Sequence, residues 1–296
     1  MKRIIFLLVG FLLVINISNH DIVALNDRLA VDPIATSTYG SVISFVNADK
    51  GVVSVFHNRG SASKVKLVVQ KGTDKYVYNL FNNEEYVNYP LQLGDGSYRV
   101  SVYENTSGTK YRKIASKSSY VTLEDELNVY LQSILEISWK YEDISIELVN
   151  ELVDEAINLK KSEMEIDNEN ELSDEEVIEA IYSFVIKTIV YDYDKINGLD
   201  YSYTPDNDTT LELEAGICYD YSSLLASMLR SVGVPSKMAK GYTNTSSVYH
   251  AWNEIYLSEE ERWVIVDSTY DAYMVQNGFS YEFEKTEESY NKVKEF

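Results

Sequence analysis

The sequence has one cysteine, Cys218, in 296 residues, so no disulfide can form within the chain. It has three histidines, and their positions give no recognisable metal-ligand spacing, which argues against a metal-dependent hydrolase. Basic residues are scarce: 26 Lys and Arg stand against 47 Asp and Glu, a formal net charge of −21. Such a field repels nucleic acid and anionic membranes and favours solubility and cationic partners. No complete P-loop and no zincin motif occurs. Long apolar runs are absent apart from Ile4 to Ile17, which follows Met1-Lys2-Arg3. That start has the basic and apolar regions of a secretory signal, too short for a span of about 20 residues. No small-x-small cleavage site follows it, so residues 1–30 are read as a signal peptide or an uncleaved anchor with linker. A secreted or cell-surface location is expected.

With 45% hydrophobic residues the chain can bury one large core or two ordinary ones, and two domains are expected. Between about 38 and 123 the pattern alternates with period two. Val65, Leu67 and Val69 alternate with Lys64, Lys66 and Gln70, and Tyr98, Val100 and Val102 with Arg99 and Ser101. Turn sequences such as Gly94-Asp95-Gly96 separate the runs, predicting a small antiparallel β-sandwich. His57, in phase with Val53 and Val55, reads as a packed or surface residue and not a ligand.

After Glu124 the period becomes helical. Leu127, Leu131, Ile134 and Leu135 predict one helix, and Leu148, Leu152, Ala156 and Leu159 a second. Ser173 and Glu176 form a capping box ahead of a third, which buries Val177, Ile181, Phe184 and Val185. Tyr191 to Leu213 lacks periodicity and reads as a long surface loop of the kind that borders a cleft. Asp192, Asp194 and Gly198 do not make an EF-hand there, because Ile196 and Tyr203 occupy positions that need oxygen ligands.

Gly216-Ile217-Cys218 precedes the apolar pattern Leu224, Leu225, Met228, Leu229 and Val232, which stops at Gly233-Val234-Pro235. Cys218 is thus expected at a helix N-terminus, where unpaired N–H groups and the helix dipole favour a thiolate. Acyl transfer by a thiolate also needs a proton carrier, and His250 has the better surroundings of the two histidines outside the N-terminal segment. It lies in a predicted strand, Val248 to Tyr256, joined through Ser258 to Glu261 to a second, Arg262 to Asp267. With the hairpin tip near Ser258-Glu259, His250 and Asp267 are expected directly opposite each other, so that Asp267 orients the imidazole.

The stretches Gly216-Ile217-Cys218-Tyr219-Asp220-Tyr221-Ser222, Gly233-Val234-Pro235, His250-Ala251-Trp252-Asn253-Glu254 and Val266-Asp267-Ser268-Thr269 together resemble the core of the transglutaminase-like superfamily, over roughly Ser173 to Asp271. The resemblance implies an α+β, papain-like core in which a helix bearing the nucleophile packs on an antiparallel sheet bearing His and Asp. That core, with its helical N-terminal part, would occupy residues 124–296 behind the sandwich. The resemblance further implies Cys218, His250 and Asp267 as catalytic residues, and an oxyanion hole made by the Cys218 N–H and an aromatic from the preceding segment, for which Tyr191 is the candidate. Trp252 is a second site candidate, although it reads more readily as a packing residue. The implied activity is attack by Cys218 on a peptide or carboxamide carbonyl to give a thioester, resolved by water (protease or amidase) or by an amine (transglutaminase). No cofactor or metal is called for. Candidate substrates are extracellular proteins or cell-wall peptides, with no nucleic acid. The alternative is a noncatalytic adhesion or wall-binding protein that keeps the same scaffold.

Overall fold

Alternating valines and aromatics shape the first half of the chain, and in the computed structural model they form eight strands. The structure describes residues 35–36, 39–60, 64–83, 85–164, 172–200, 202–244 and 246–296; the expected signal or anchor lies outside the described residues. The strands are β1 (Ala35–Thr36), β2 (Ser41–Ser44), β3 (Val52–His57), β4 (Val65–Lys71), β5 (Asp74–Leu80), β6 (Val87–Pro90), β7 (Gly96–Ser107) and β8 (Lys110–Val121). They make two antiparallel sheets, in the orders β1-β2-β3-β6 and β5-β4-β7-β8. Ile43, Val53 and Val55 of the first sheet pack against Leu67, Val69, Val100 and Val102 of the second. This is the sandwich that the period-two pattern predicts. Ser101 departs from it: expected on the polar face, it is buried and hydrogen-bonded to Ser116 at 2.9 Å. His57 is also buried, with Nδ1 2.7 Å from the Ser41 hydroxyl.

The next segment corrects one expectation. Leu127 to Leu135 does not form a helix beyond a single 3₁₀ turn, Glu126–Tyr130, capped by the Asp125 side chain. Its apolar residues serve as packing: Ile134 and Ile137 join the sandwich core. Then come α1 (Ile144–Met164) and α2 (Asp174–Thr188). The α2 capping box is formed in both directions, Ser173 Oγ accepting from Glu176 N–H at 3.3 Å and Glu176 Oε2 from Ser173 N–H at 2.8 Å.

A short strand β9 (Val190–Tyr191) follows. The expected long loop beyond it contains a 3₁₀ turn at Lys195–Gly198 and α3 (Asn207–Glu212), whose N-cap Asp206 accepts from Thr209 N–H at 2.9 Å. The remaining elements are β10 (Ala215–Gly216), α4 (Cys218–Ser231), β11 (Ser236–Thr243), β12 (Ser246–Leu257), β13 (Arg262–Val266), α5 (Ser268–Gln276) and β14 (Tyr290–Glu295). Strands β13-β12-β11-β14 make an antiparallel sheet, and β9 pairs in parallel with β10. The apolar faces of α2, α4 and α5 pack with Ile255, Val264 and Val266 of the sheet. Mixed helix and antiparallel sheet, with the Cys218 helix against the sheet that carries His250, give the α+β architecture.

The two halves share packing. Ala226 of α4, Met238 of β11 and Phe296 belong to the same apolar cluster as the sandwich. Phe296 meets Tyr76 and Tyr78 edge-on, with ring centroids 6.4 and 6.1 Å apart. Arg230, buried in the last turn of α4, ties three segments through their carbonyls: Gln132 at 2.7 Å, Ser236 at 2.9 Å and Phe296 at 3.0 Å. Burial lowers the pKa of its guanidinium to about 9, which leaves it charged at neutral pH. Arg230→Met is expected to destabilise the fold by at least about 3 kcal/mol in urea unfolding, since three buried carbonyls lose a charged donor. Arg230→Lys is expected to rescue little, because an ammonium lacks the planar fork that spans them.

Candidate active site

The Cys218 helix begins at Cys218 itself, with Ile217 as N-cap. The first-turn N–H groups of a helix have no acceptor within it, so the backbone presents donors and partial positive charge beside the thiol. Asp220, in the same turn and fully buried, accepts from Ile217 N–H at 2.8 Å and pairs with Lys195 at 2.7 Å. It also accepts from the Tyr203 hydroxyl. Gly216 is required by this arrangement: a Cβ there would stand 2.7 Å from the Asp220 Cβ. Lys195 and Tyr203 come from the segment read as a plain loop, so that segment braces the start of α4.

His250 lies on β12, opposite Gly241 of β11. No side chain fits at Gly241, where a Cβ would meet the Asn291 carbonyl at 2.0 Å and the Trp252 ring at 3.0 Å. The hairpin register differs from the expected one. Leu257 pairs with Arg262 and Asn253 with Val266, so the tip lies between Glu259 and Glu260, with Glu261 at φ 51°. Asp267 follows β13 and stands two residues from direct opposition to His250. A shift of two keeps both side chains on one face, where a shift of one would have separated them. The contact therefore forms diagonally, with His250 Nε2 to Asp267 Oδ2 at 2.8 Å.

Asp267 is the N-cap of α5, and its Oδ1 accepts from Tyr270 N–H at 3.0 Å. Its Oδ2 accepts a second bond, from the Tyr290 hydroxyl at 2.9 Å. Tyr290 was not legible in the sequence: it lies on β14, and only the pairing of β14 with β11 brings it here.

With Nε2 engaged by Asp267, the His250 ring lies near enough to the Cys218 thiol for that group to raise its pKa. Burial lowers the imidazole pKa, but the bonds and charges of Asp267 and Cys218 outweigh it and raise it to about 10. The ring is thus held as an imidazolium through the neutral range. Cys218 is partly buried and carries a free thiol.

Tyr191 pairs with Gly216, two residues before Cys218, and its ring is half-buried. Burial, followed by the charges of Cys218, Tyr193 and Asp220, pushes its hydroxyl up to about 12, so it stays a hydrogen-bond donor. Trp252 stacks beside His250, with ring centroids 6.3 Å apart. It is 1% exposed beneath His250, against Tyr290 at a centroid distance of 5.1 Å, and it does not line the cleft. Trp252 is the packing residue that its sequence setting favours: strand alternation puts it on the face of His250, two residues along β12.

Lys240, partly buried, holds its ammonium 3.2 Å from the Tyr219 ring centroid. Burial lowers its pKa, opposed by buried Glu136, whose own pKa burial raises. Among the described residues no group of three or more His, Cys, Asp or Glu is placed to hold a metal ion.

A cysteine at a helix start and a histidine–aspartate pair on the adjoining sheet are the arrangement that the sequence motifs imply, and residues 164–268 match the transglutaminase-like superfamily. This segment is a transglutaminase-like domain. Solved structures with similarity to the chain include red sea bream transglutaminase, at 16% identity and a TM-score of 0.34, with 74% of this chain and 48% of that one covered. A candidate cysteine protease from Cytophaga hutchinsonii is similar at 13% identity and a TM-score of 0.37, covering 71% and 78%. Legionella pneumophila LapG is similar at 20% identity and a TM-score of 0.31, covering 41% and 61%. The chain thus spans about half the length of the sea bream enzyme. No curated protein matches the sequence.

Two outcomes follow for the transglutaminase-like domain. Asp267→Asn keeps an oxygen to cap α5, and Asn caps helices as well as Asp, so the variant is expected to fold, with a lower urea midpoint at neutral pH because the raised His250 pKa no longer stabilises it. The His250 titration, followed by NMR of the ring protons, is expected to fall from about 10 toward 6.5 or below. In the wild type the raised His250 pKa contributes stability that is complete below about 6.5 and is lost as pH rises through about 10. Urea unfolding at intervals across that window checks it.

Proposed function

We propose that the chain is a cysteine-dependent acyl-transfer enzyme in which Cys218 is the nucleophile, His250 the proton carrier and Asp267 the residue that orients it. The observation that supports this reading is the His250–Asp267 contact at 2.8 Å, with the Cys218 thiol near enough to the same ring to raise its pKa.

In the first half-reaction the Cys218 sulfur attacks the carbonyl carbon of a peptide or carboxamide. The carbonyl oxygen takes up the charge beside the Cys218 N–H, with Tyr191 as the second donor. The carbon–nitrogen bond then breaks, and the His250 imidazolium gives its proton to the departing amine. A thioester remains on Cys218. In the second half-reaction water or an amine attacks the thioester, His250 takes the proton from the attacking group, and the thiolate is released. Water as acceptor makes the protein a protease or amidase; an amine makes it a transglutaminase.

The same reading puts the substrate outside the cytoplasm, as an extracellular protein or a wall peptide. The basic and apolar N-terminal segment supports that location.

Iodoacetamide alkylation of Cys218 at pH 7 is the first test. His250→Ala is expected to slow labelling by about tenfold or more, because the imidazolium no longer faces the sulfur. Equal labelling rates in the two proteins would favour the noncatalytic scaffold. Cys218→Ala is expected to abolish both labelling and turnover while leaving the unfolding midpoint within about 1 kcal/mol.

A further inference from the structure

A cleft of about 1150 Å³ opens beside His250 and Asp267. Its walls hold Tyr191, Tyr193, Tyr270 and Tyr273, and Cys218 is not among the residues that line it. Tyr193 and Tyr273 are 68% and 55% exposed, and Val190 and Val248 on the same walls are also exposed. Exposed aromatic and aliphatic groups gathered around one concavity mark a binding surface for apolar matter, with tyrosine hydroxyls to meet polar backbone.

The charges of the cleft are unequal. Lys285 is neutralised by buried Asp271, at 2.6 Å, and Glu284 by Arg262, at 2.7 Å. Glu282, exposed on the same wall, has no ion-pair partner among the described residues. Among the described residues the cleft therefore offers no free cation to an acidic side chain, in a chain of net charge −21.

Which side of a substrate enters the cleft follows from proton transfer, and the argument rests on the proposed acyl-transfer reading. The acyl group is bonded to the Cys218 sulfur, so its chain starts at a residue outside the cleft wall. The departing nitrogen must lie against the His250 ring to receive its proton, and the chain beyond that nitrogen runs past His250 into the cleft that His250 lines.

We propose that the tyrosine-walled cleft is the amine-side subsite, which selects a polypeptide with an aromatic or branched aliphatic residue just after the broken bond and rejects Asp and Glu there. The walls act on the leaving chain and, in the reverse sense, on an incoming amine.

The test uses the full chain, a synthetic peptide library randomised on both sides of a central amide, and mass spectrometry of the new amino termini. Wild type is expected to enrich Phe, Tyr, Leu or Ile in the first two positions of those termini by about tenfold over their library frequency, and to deplete Asp and Glu. Tyr193→Ala combined with Tyr273→Ala, which leaves Cys218, His250 and Asp267 untouched, is expected to flatten that profile. The double variant should still turn over methyl thioesters with an unchanged preference among the acyl groups, because a thiolate leaving group neither fills the cleft nor needs a proton. Cys218-dependent products with a flat wild-type profile, or a profile unchanged in the double variant, overturn the subsite. Absence of any Cys218-dependent product, with no thioester turnover, overturns the acyl-transfer reading and the subsite with it.

Discussion

The carboxylate of Asp267 is the constraint on which the site depends. One oxygen closes the N-terminus of α5 through Tyr270 N–H, and the other receives His250 and Tyr290 together. A helix, a strand of the sheet and the strand β14 meet on a single side chain that is almost fully buried. Buried carboxylates are costly unless their lone pairs are filled, and here donors from three elements fill them. The orientation of the imidazole is therefore a property of the tertiary fold and not of the hairpin alone.

The same economy governs the other buried charges. Asp271, one turn into α5, is held by Lys285 and by the Tyr182 hydroxyl at 2.5 Å, which fixes α5 against α2. Asp220 does the corresponding work for α4 through Lys195 and Tyr203. Each of the two helices that flank the candidate site thus carries a buried acid in its first turn, and each acid draws its partner cation from a connecting segment. The connecting segments are part of the site's frame, and a reading that treats them as spacers misses their role.

The legibility of these features in the sequence follows the range of the interactions behind them. Cys218 at a helix start, the capping box of Ser173 and Glu176, and the alternation of Val65, Leu67 and Val69 are local patterns, and the structure has each of them. The His250–Asp267 contact was legible as to partners but not as to register, because the turn places Glu261 at positive φ and moves the tip by one residue. Leu127 to Leu135 has helical spacing, yet those side chains are spent on packing, Ile134 against the sandwich. The Asp206 cap with its partner Thr209 was a usable local signal for α3 that the lack of periodicity around it obscured. Tyr290, Arg230 and Glu136 gain their roles only from segments far away in the chain, and no local pattern announces them.

Strand β14 has a consequence for the order in which the chain can fold. Gln92, in the sandwich, donates to the Glu295 carbonyl across 203 residues, and Phe296 lies among the sandwich tyrosines. Contacts of such sequence separation carry a large loop-closure cost and form slowly. During synthesis the sandwich strands emerge first, and their aromatic cluster waits for a side chain delivered only after the whole transglutaminase-like domain has been made. Completion of the β-module and assembly of the Tyr290–Asp267–His250 contacts are thus one late event, so a nascent chain holds neither a finished sandwich nor an aligned imidazole until both arrive together.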